Sequence, residues 1–243
     1  MPQLRGKGTA LCLAALLCLG PAAEVPAEQI AALSLMQAAP PRLFGNHEIH
    51  SANLMQFSRW TELLARWQAE REDAAESCVA SEIDVAPCAP SDWTKLVARL
   101  RALPLRQQIE AANAAINAHP YVSAQANWND PTHWETPFEF IRRNGQCQDY
   151  AIAKFLLLRE LGVANDRMRL VVLRDVRRQV DHAVLVVEID GETLMLDNLI
   201  AQVVPAAAAA DYRAYYSINE TGWWLHLPNP LIPSPMVAQI ASR

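Results

Sequence analysis

One cysteine, one histidine and one aspartate in the second half of the chain have the types and spacing of a thiol nucleophile with its base. Cys147 follows the turn Asn144-Gly145 and precedes an apolar helical run, so we predict it at the first turn of a helix. Unpaired backbone N–H groups and the positive end of the helix dipole favour a thiolate there. The alternative is that Cys147 is a small buried hydrophobe, the usual environment of a free cysteine.

The spacing of the histidine and the aspartate depends on a hairpin. An Asp-Gly dipeptide at 190–191, between two runs rich in β-branched residues, predicts a two-residue turn. In that register Ile189 opposes Glu192. His182 and Asp197 then become diagonal neighbours on one face of the ladder, with backbones about 7–8 Å apart. A shift of one residue would move Asp197 to the other face.

Together these three residue types have defined roles in thiol catalysis. A thiolate attacks an acyl carbon, an imidazole holds the thiolate as an ion pair and then protonates the leaving amine, and a carboxylate orients the imidazole. Taken singly, His182 is also explained as a half-buried strand residue and Asp197 as a turn residue. Combined with Cys147, they favour nucleophilic catalysis. A zinc site would need further Cys or His ligands at short spacing, and the sequence has none near Cys147.

The elements that must position these residues follow from hydrophobic periodicity. Apolar residues at helical spacing dominate the first half, and period-two patterns with β-branched residues begin after Gly162, which we interpret as a helix stop. We predict helices at Trp60–Trp67, Trp93–Leu100, Leu105–Ala118, Phe138–Arg143 and from Cys147 towards Gly162. A long polar and aromatic loop, 122–137, lies between the third and fourth helices, and Thr136 is positioned to cap the fourth.

The second half is predicted to consist mainly of strands. The predicted strands are Met168–Val176, His182–Ile189 and Glu192–Asp197. Residues 205–216 are compatible with a helix or with the approach to a strand, since an alanine run is followed by three tyrosines. We expect Tyr215–Leu227 to add one or two further strands.

Composition and the first residues suggest an exported protein. The chain has 243 residues, 51% of them hydrophobic, which is enough for one sizeable core. A net charge of −5 without a long basic run argues against nucleic-acid binding. Arg5 and Lys7, an apolar run at 10–19 and small residues after it predict a signal peptide over 1–23, with an uncleaved anchor as the alternative. We therefore expect a location outside the cytoplasm.

Three cysteines follow the predicted signal peptide: Cys78, Cys88 and Cys147. In an oxidising compartment, a Cys78–Cys88 disulfide would close a short loop and leave Cys147 free, and the alternatives pair Cys147 with either of the others. The predicted organisation is a signal peptide (1–23), a lead-in segment (24–45), one domain (46–228) and an irregular tail (229–243).

Several blocks of the sequence resemble one known family. The main blocks are Gly145-x-Cys147-x-Asp149-Tyr150-Ala151-Ile152-Ala153-Lys154-Phe155, Asp181-His182-Ala183-Val184-Leu185 and Leu196-Asp197-Asn198. Further matching stretches are Leu43–Gly45, Trp134–Phe140, Met168–Val172 and Tyr216–Trp224. In this order they are similar to the bacterial transglutaminase-like cysteine proteinases of the LapG type, over nearly all of the predicted mature chain.

The resemblance implies an α+β fold with a papain/transglutaminase-like core, in which N-terminal helices pack with an antiparallel β-sheet. It implies a catalytic triad of Cys147, His182 and Asp197, a periplasmic location and calcium bound close to the active site. The implied substrate is a large biofilm adhesin, cut near its N-terminus at paired alanines. The implied regulator is an inner-membrane cyclic-di-GMP receptor that sequesters the protease. We expect no organic cofactor.

Two positions of the motif depart from the family. Family members carry acidic residues on both sides of the cysteine, whereas this chain has Gln146 and Gln148. Asp149 remains, and Asp130 in the preceding loop is a second candidate calcium ligand. Because carboxylates dominate calcium affinity, the two amides should weaken a calcium site substantially. The lost negative charge should also make the Cys147 thiolate easier to form.

We therefore predict a periplasmic cysteine endopeptidase. The Cys147 backbone N–H and one further donor would stabilise the oxyanion, with Gln146, Asn144 and Trp134 as candidates for the second donor. One alternative keeps the thiol chemistry but transfers the acyl group to an amine. The other is a non-catalytic module of the same fold that binds an adhesin or a membrane receptor.

Overall fold

The computed structural model describes residues 43–82 and 92–228, and the side chains of 43–75 and 92–228. The predicted signal peptide, most of the lead-in, the proposed Cys78–Cys88 disulfide and the predicted tail lie outside the described side chains. No helix in the described ranges has the length and apolarity that a membrane-spanning segment requires.

Helices form most of the first half. The α-helices within the described ranges are α1 (Ser58–Glu82), α2 (Asp92–Arg101), α3 (Leu105–Asn117), α4 (Ala124–Trp128), α5 (Pro137–Arg143) and α6 (Cys147–Glu160). Their apolar stripes are buried as predicted, with Trp60 and Leu63 of α1 fully inaccessible. Thr136 caps α5 through a capping box with Glu139. Gly162 has a φ of 98° just after α6, which confirms the predicted helix stop.

Helix α4 was not predicted, because it lies in the stretch that we interpreted as a loop. The Ser123 side chain accepts a hydrogen bond from the Ala126 N–H at 3.3 Å and starts the helix. Asn129, with a φ of 53°, ends it in the left-handed region. A helix of five residues is too short to show apolar periodicity, so only its capping residues signalled it.

The strands form one seven-stranded antiparallel sheet in the order β1-β7-β6-β2-β3-β4-β5. They are β1 (His47–Ser51), β2 (Met168–Asp175), β3 (Val180–Ile189), β4 (Glu192–Leu196), β5 (Val204–Pro205), β6 (Tyr212–Ile218) and β7 (Trp223–Leu227). The ambiguous stretch after Pro205 contains a short 3₁₀ turn followed by β6. Strand β1 was not predicted, and it joins the sheet by pairing with β7. Together with the helices, this sheet makes an α+β fold.

The predicted hairpin register is correct. Ile189 pairs with Glu192, and Leu185 pairs with Leu196. Asp190 and Gly191 both have positive φ, as a type I′ turn requires. Strand β4 ends at Leu196, so Asp197 is the first residue beyond the ladder.

Two hydrophobic clusters cover the two faces of the sheet, because neighbouring residues of a strand point to opposite faces. The larger cluster joins the helices to the sheet and includes Phe155 and Ile152 of α6, with Leu170 and Leu185 of the strands. The smaller cluster includes Leu43, Val171, Val184, Val186 and Met195. Each fully buried aliphatic or Phe side chain contributes about 1.5–3 kcal/mol. Helix α6, which begins at Cys147, is therefore held rigidly.

Candidate active site

Cys147 is the first residue of α6, as predicted, and it is a free thiol. The approach to the helix is tight. Asn144 has a φ of 65°, and a Cβ at Gly145 would lie 2.7 Å from Asp149 Cβ and 2.9 Å from the Phe140 ring. Glycine is therefore required at this position for the turn to deliver the thiol to the helix N-terminus. Among the described residues, none accepts a hydrogen bond from the Cys147 backbone N–H.

Asp149 fastens the start of this helix to the preceding loop. Its two carboxylate oxygens accept hydrogen bonds from the backbone N–H groups of Gln146 and Glu135, each at 3.0 Å. Burial raises the pKa of Asp149 to about 7, with a further contribution from the nearby Glu135 carboxylate, although the two N–H groups oppose the shift.

Glu135 is a buried carboxylate that the sequence analysis missed. Its Oε1 accepts hydrogen bonds from Asn127 Nδ2 at 3.0 Å and Trp128 Nε1 at 2.6 Å. Its Oε2 is buried and has no hydrogen-bond partner among the described residues. Burial also raises the pKa of Glu135. The polar and aromatic character of the loop was visible in the sequence, but its fold onto Asp149 was not.

The two candidate calcium ligands lie in separate hydrogen-bond networks. Asp130 is exposed, and one of its oxygens accepts hydrogen bonds from the backbone N–H and the hydroxyl of Thr132, both at 2.8 Å. Asp149, in contrast, is fully buried against Gln146 and Glu135. Among the described residues, no group of three or more His, Cys, Asp or Glu side chains is arranged to hold a metal ion.

His182 and Asp197 meet as the hairpin register predicted. His182 Nε2 lies 2.8 Å from Asp197 Oδ1, and both side chains are buried. The second ring nitrogen is not bonded to Asp197, and interaction with the nearby Cys147 raises the pKa of His182. The Cys147 thiol itself donates to Gln148 Oε1 at 3.7 Å. Asp197 also accepts hydrogen bonds from the Tyr212 hydroxyl at 2.6 Å and the Leu199 N–H at 2.9 Å. The carboxylate is thus fixed by three donors.

The electrostatics of this group favour a charged imidazole. Burial opposes the charge on His182, but the interactions with Asp197 and Cys147 outweigh it and raise the pKa of His182 to about 9. Burial likewise opposes the charge on Asp197, yet the hydrogen bonds from His182 and Tyr212 hold the pKa of Asp197 below its ordinary value. An imidazolium that touches a thiol can hold it as a thiolate.

Tyr212 and Tyr121 are site residues that the sequence analysis did not identify. Tyr212 belonged to a stretch that the sequence left open between a helix and a strand approach, and it lies on β6, which is not a neighbour of β4 in the sheet. Burial and Asp197 both raise the pKa of Tyr212. Tyr121 is 60% exposed, and partial burial followed by the electrostatic effect of Cys147 raises its pKa. The Val122 N–H donates to the Gly145 carbonyl at 2.9 Å and holds Tyr121 beside the thiol turn.

Comparisons with known proteins identify the family of this chain. The family model described as bacterial transglutaminase-like cysteine proteinase BTLCP matches residues 81–230. The calcium-bound structure of Legionella pneumophila LapG is 28% identical, with a TM-score of 0.50, over 62% of this chain and 86% of that one. Another LapG structure from the same organism is 30% identical, with a TM-score of 0.49, over 55% of this chain and 75% of that one. No curated protein matches the chain significantly.

The matched range contains Cys147, His182 and Asp197 and spans more than half of the sequence. The chain therefore belongs to the bacterial transglutaminase-like cysteine proteinase family, and it is a cysteine peptidase.

Proposed function

We propose that the protein is an endopeptidase in which Cys147 is the nucleophile, His182 the acid and base, and Asp197 the orienting carboxylate. The observation that carries the proposal is the 2.8 Å contact between Asp197 and His182 Nε2, together with the effect of Cys147, at the helix start, on the same imidazole. The carboxylate fixes the tautomer and the plane of the imidazole, so that the other ring nitrogen faces the sulfur.

In the acylation half, the Cys147 thiolate attacks the carbonyl carbon of the scissile peptide. The carbonyl oxygen becomes an oxyanion, which the free Cys147 backbone N–H stabilises. As the C–N bond breaks, the protonated His182 gives its proton to the leaving amine nitrogen. The products of this half are a thioester on Cys147, a neutral imidazole and a peptide with a new N-terminus.

In the deacylation half, neutral His182 removes a proton from a water molecule, and the resulting hydroxide attacks the thioester carbon. The C–S bond breaks, the acyl product leaves as a carboxylic acid, and the thiolate–imidazolium pair is restored. Asp197 keeps its charge throughout and stabilises the imidazolium whenever it forms.

Two exposed side chains lie next to this group and offer contacts to an extended substrate. Tyr121 is 60% exposed beside Cys147, and Leu199 is 44% exposed next to Asp197. An exposed aromatic ring beside a nucleophile can pack against a peptide chain. We expect Tyr121→Ala to raise KM about 10-fold through the lost packing, while Tyr121→Phe leaves KM nearly unchanged. Steady-state kinetics on both variants checks this, and equal KM values in wild type and Tyr121→Ala would contradict it.

The substrate that we propose is a large surface adhesin, cut near its N-terminus in the periplasm to control biofilm attachment. Support comes from the sequence resemblance and from the likeness to LapG. We propose that an inner-membrane cyclic-di-GMP receptor sequesters the enzyme. This part of the proposal rests on family likeness and not on the geometry of the site.

A cleavage assay tests the proposal. The chain and its Cys147→Ala variant are incubated with the N-terminal segment of a large adhesin from the same organism, and the products are analysed by mass spectrometry. We expect two fragments with one new N-terminus from wild type alone. A product linked to an added amine would indicate acyl transfer instead. An intact substrate, together with an unreactive Cys147, would indicate a non-catalytic binding module.

Calcium is the one metal that the likeness to LapG suggests. Calcium prefers oxygen ligands, and two buried carboxylates are strong donors. Glu135 and Asp149 provide such a pair, and the unpartnered Glu135 Oε2 is an oxygen that a cation would satisfy. This donor set fits calcium better than the pair of Asp149 and Asp130. Calcium would supply positive charge to the buried carboxylates, and the amides Gln146 and Gln148 would leave its affinity modest.

Thermal unfolding with added calcium and with EGTA tests this assignment without any activity assay. We expect calcium to raise the Tm of wild type, because a ligand that binds only the folded state stabilises it. Glu135→Gln should abolish the shift, and Asp130→Asn should preserve it as the matched control. An unchanged Tm in wild type, or a full shift in Glu135→Gln, would contradict the assignment.

A further inference from the structure

Lys154 is a fully buried lysine that the proposed mechanism does not use. It lies on α6, seven positions after Cys147, and its side chain has no exposed surface. Its Nζ is buried, with no hydrogen-bond partner among the described residues. Burying an ammonium without compensation is costly, so lysine is almost never fully buried unless it is paired.

One ionisable group acts on Lys154, and it belongs to the proposed triad. Burial lowers the pKa of Lys154 to about 7, and the charge of Asp197 acts in the opposite direction. Asp197 is itself fully buried, and His182 and Tyr212 are the other titratable groups that bond to it. Asp197 therefore interacts with His182 through a hydrogen bond and with Lys154 through space.

Further unsatisfied polar atoms lie at the turn that carries Asp197 and on the helix residue that bonds to it. Asn117 Nδ2 of α3 donates to the Asp197 carbonyl at 2.8 Å, which ties the turn to the helices. Asn117 Oδ1 and Asn198 Oδ1 are both buried without partners among the described residues. Buried polar atoms of this kind are usually satisfied by internal water.

We propose that Lys154 is a positioning residue: its ammonium is the internal counter-charge of Asp197 and keeps that carboxylate aimed at His182. This inference rests on the proposed roles of Cys147, His182 and Asp197. Thiolate, imidazolium and carboxylate together carry one negative charge, and the ammonium makes the buried group neutral. The group also stays neutral in the thioester stage, where only Asp197 and Lys154 are charged. A neutral set of charges is the cheapest one to bury.

The test replaces the ammonium by an apolar chain of similar length. We expect Lys154→Met to lower kcat about 10-fold with KM unchanged, as for an interaction that acts on the chemical step alone. Its Tm should equal or exceed that of wild type, because apolar replacements of buried charges are often neutral or stabilising. If Lys154 had only a structural role, Lys154→Met would lower Tm and kcat together. The exposed Lys95, replaced by Met, is the matched control.

A double-mutant cycle then tests whether Lys154 acts through Asp197. In an Asp197→Asn background, Lys154→Met should cause no further loss of kcat, because the charge that it compensates is gone. Full activity in Lys154→Met, additive losses in the double variant, or a loss of kcat that parallels a loss of Tm would each overturn the proposal. An inactive wild type would instead refute the proposed function. If Lys154→Met does not fold, Lys154→Gln enters the same cycle.

Discussion

Two buried histidines in this molecule have similar neighbours and opposite properties. His182 and His226 are 5% and 4% exposed, and each lies near a carboxylate and a nucleophile-type side chain. For His226 these neighbours are Ser217, whose Oγ lies 2.9 Å from Nε2, and Glu48, whose Oε1 lies 3.7 Å from Nδ1. By residue type alone, this second group would also pass for a catalytic triad.

The difference lies in the partner of the carboxylate. Asp197 bonds directly to its histidine, whereas Glu48 Oε2 is bound by Arg169 NH1 at 2.8 Å. Burial lowers the pKa of His226 to about 4, Glu48 opposes the shift too weakly, and Arg169 adds to it. A carboxylate whose charge is committed to an arginine cannot hold an imidazolium. The comparison shows that the geometry of the carboxylate, and not the set of residue types, separates a base from a structural histidine.

The His226 group has a structural explanation. Glu48 lies on β1, His226 on β7, Ser217 on β6 and Arg169 on β2, so that the network connects four strands. It fastens the edge strand β1, which the sequence did not predict, to the rest of the sheet. We therefore expect changes in this group to affect stability, and changes in the His182 group to affect catalysis.

The largest expected difference is between the two histidine deletions. His182→Ala should lower kcat/KM by about 10³-fold or more, since it removes the general acid and base. His226→Ala should leave kcat/KM of the folded enzyme nearly unchanged and lower its Tm. Kinetics and thermal unfolding on both variants measure this. Comparable losses of kcat/KM in the two variants would contradict the distinction between the two histidines.

The carboxylates of the two histidine groups, Asp197 and Glu48, should also differ in the effects of their replacement. Asp197→Asn should reduce kcat by about 10²-fold or more, because the imidazole loses its orienting charge. Glu48→Gln should instead destabilise the fold by about 3–5 kcal/mol, because it leaves the charge of Arg169 with a weakened partner inside the protein. Urea unfolding and kcat, measured on the same preparations, separate the two effects. A stable Glu48→Gln variant with reduced kcat would contradict this distinction.

The pH dependence of stability should have opposite signs at the two sites. The folded-state pKa of His182, about 9, is above its ordinary value of 6.5, so its contribution is present below pH 6.5 and is lost as pH rises to 9. The folded-state pKa of His226, about 4, is below its ordinary value of 6.5. Its contribution to the free energy of unfolding is therefore present above pH 6.5 and is lost as pH falls towards 4.

Asp149 and Lys154, whose pKa values are both about 7, also titrate in this range, so each variant is compared with wild type between pH 4 and pH 9. Relative to wild type, His182→Gln should lose less stability as pH rises towards 9, and His226→Gln should lose less as pH falls towards 4. Activity should also fall as pH rises through about 9, because the imidazolium that protonates the leaving amine is lost. If the unfolding free energies of both variants changed with pH in the same way, the two histidines would not have opposite effects on stability.

The smallest expected effect concerns the tyrosine behind Asp197. Tyr212→Phe removes a hydrogen bond of 2.6 Å to Asp197 Oδ2 and should lower kcat about 10-fold, the equivalent of one hydrogen bond to a charged group. Tyr215→Phe is the control, because its hydroxyl contacts the exposed Asp181 instead. A wild-type kcat in Tyr212→Phe would mean that His182 and Leu199 alone hold the carboxylate.

Local chemistry made part of this site predictable from the sequence. The Asp-Gly turn fixed the pairing of β3 with β4 and so brought His182 to Asp197, and the Gly145 turn with its apolar run located Cys147 at a helix start. Both predictions depend on residues that are close in the sequence, where turn and cap rules apply.

The remaining features depend on contacts between distant segments. Tyr212 reaches Asp197 only because β6 pairs with β2, and β1 exists only because it pairs with β7. Glu135 and Lys154 are charged residues of types that are normally exposed. The loop that folds onto Asp149 buries Glu135, and the packing of α6 on the sheet buries Lys154. Sequence periodicity contains no information on which distant element covers a given side chain.

The central claim is that His182, and not His226, activates the thiol of Cys147. The most direct test is the rate of Cys147 alkylation by iodoacetamide at pH 7, followed by mass spectrometry of the peptide that contains it. The account predicts fast alkylation in wild type and in His226→Ala, and a loss of at least 10-fold in His182→Ala, since the thiolate is the reactive form. Equal alkylation rates in wild type and His182→Ala would contradict it.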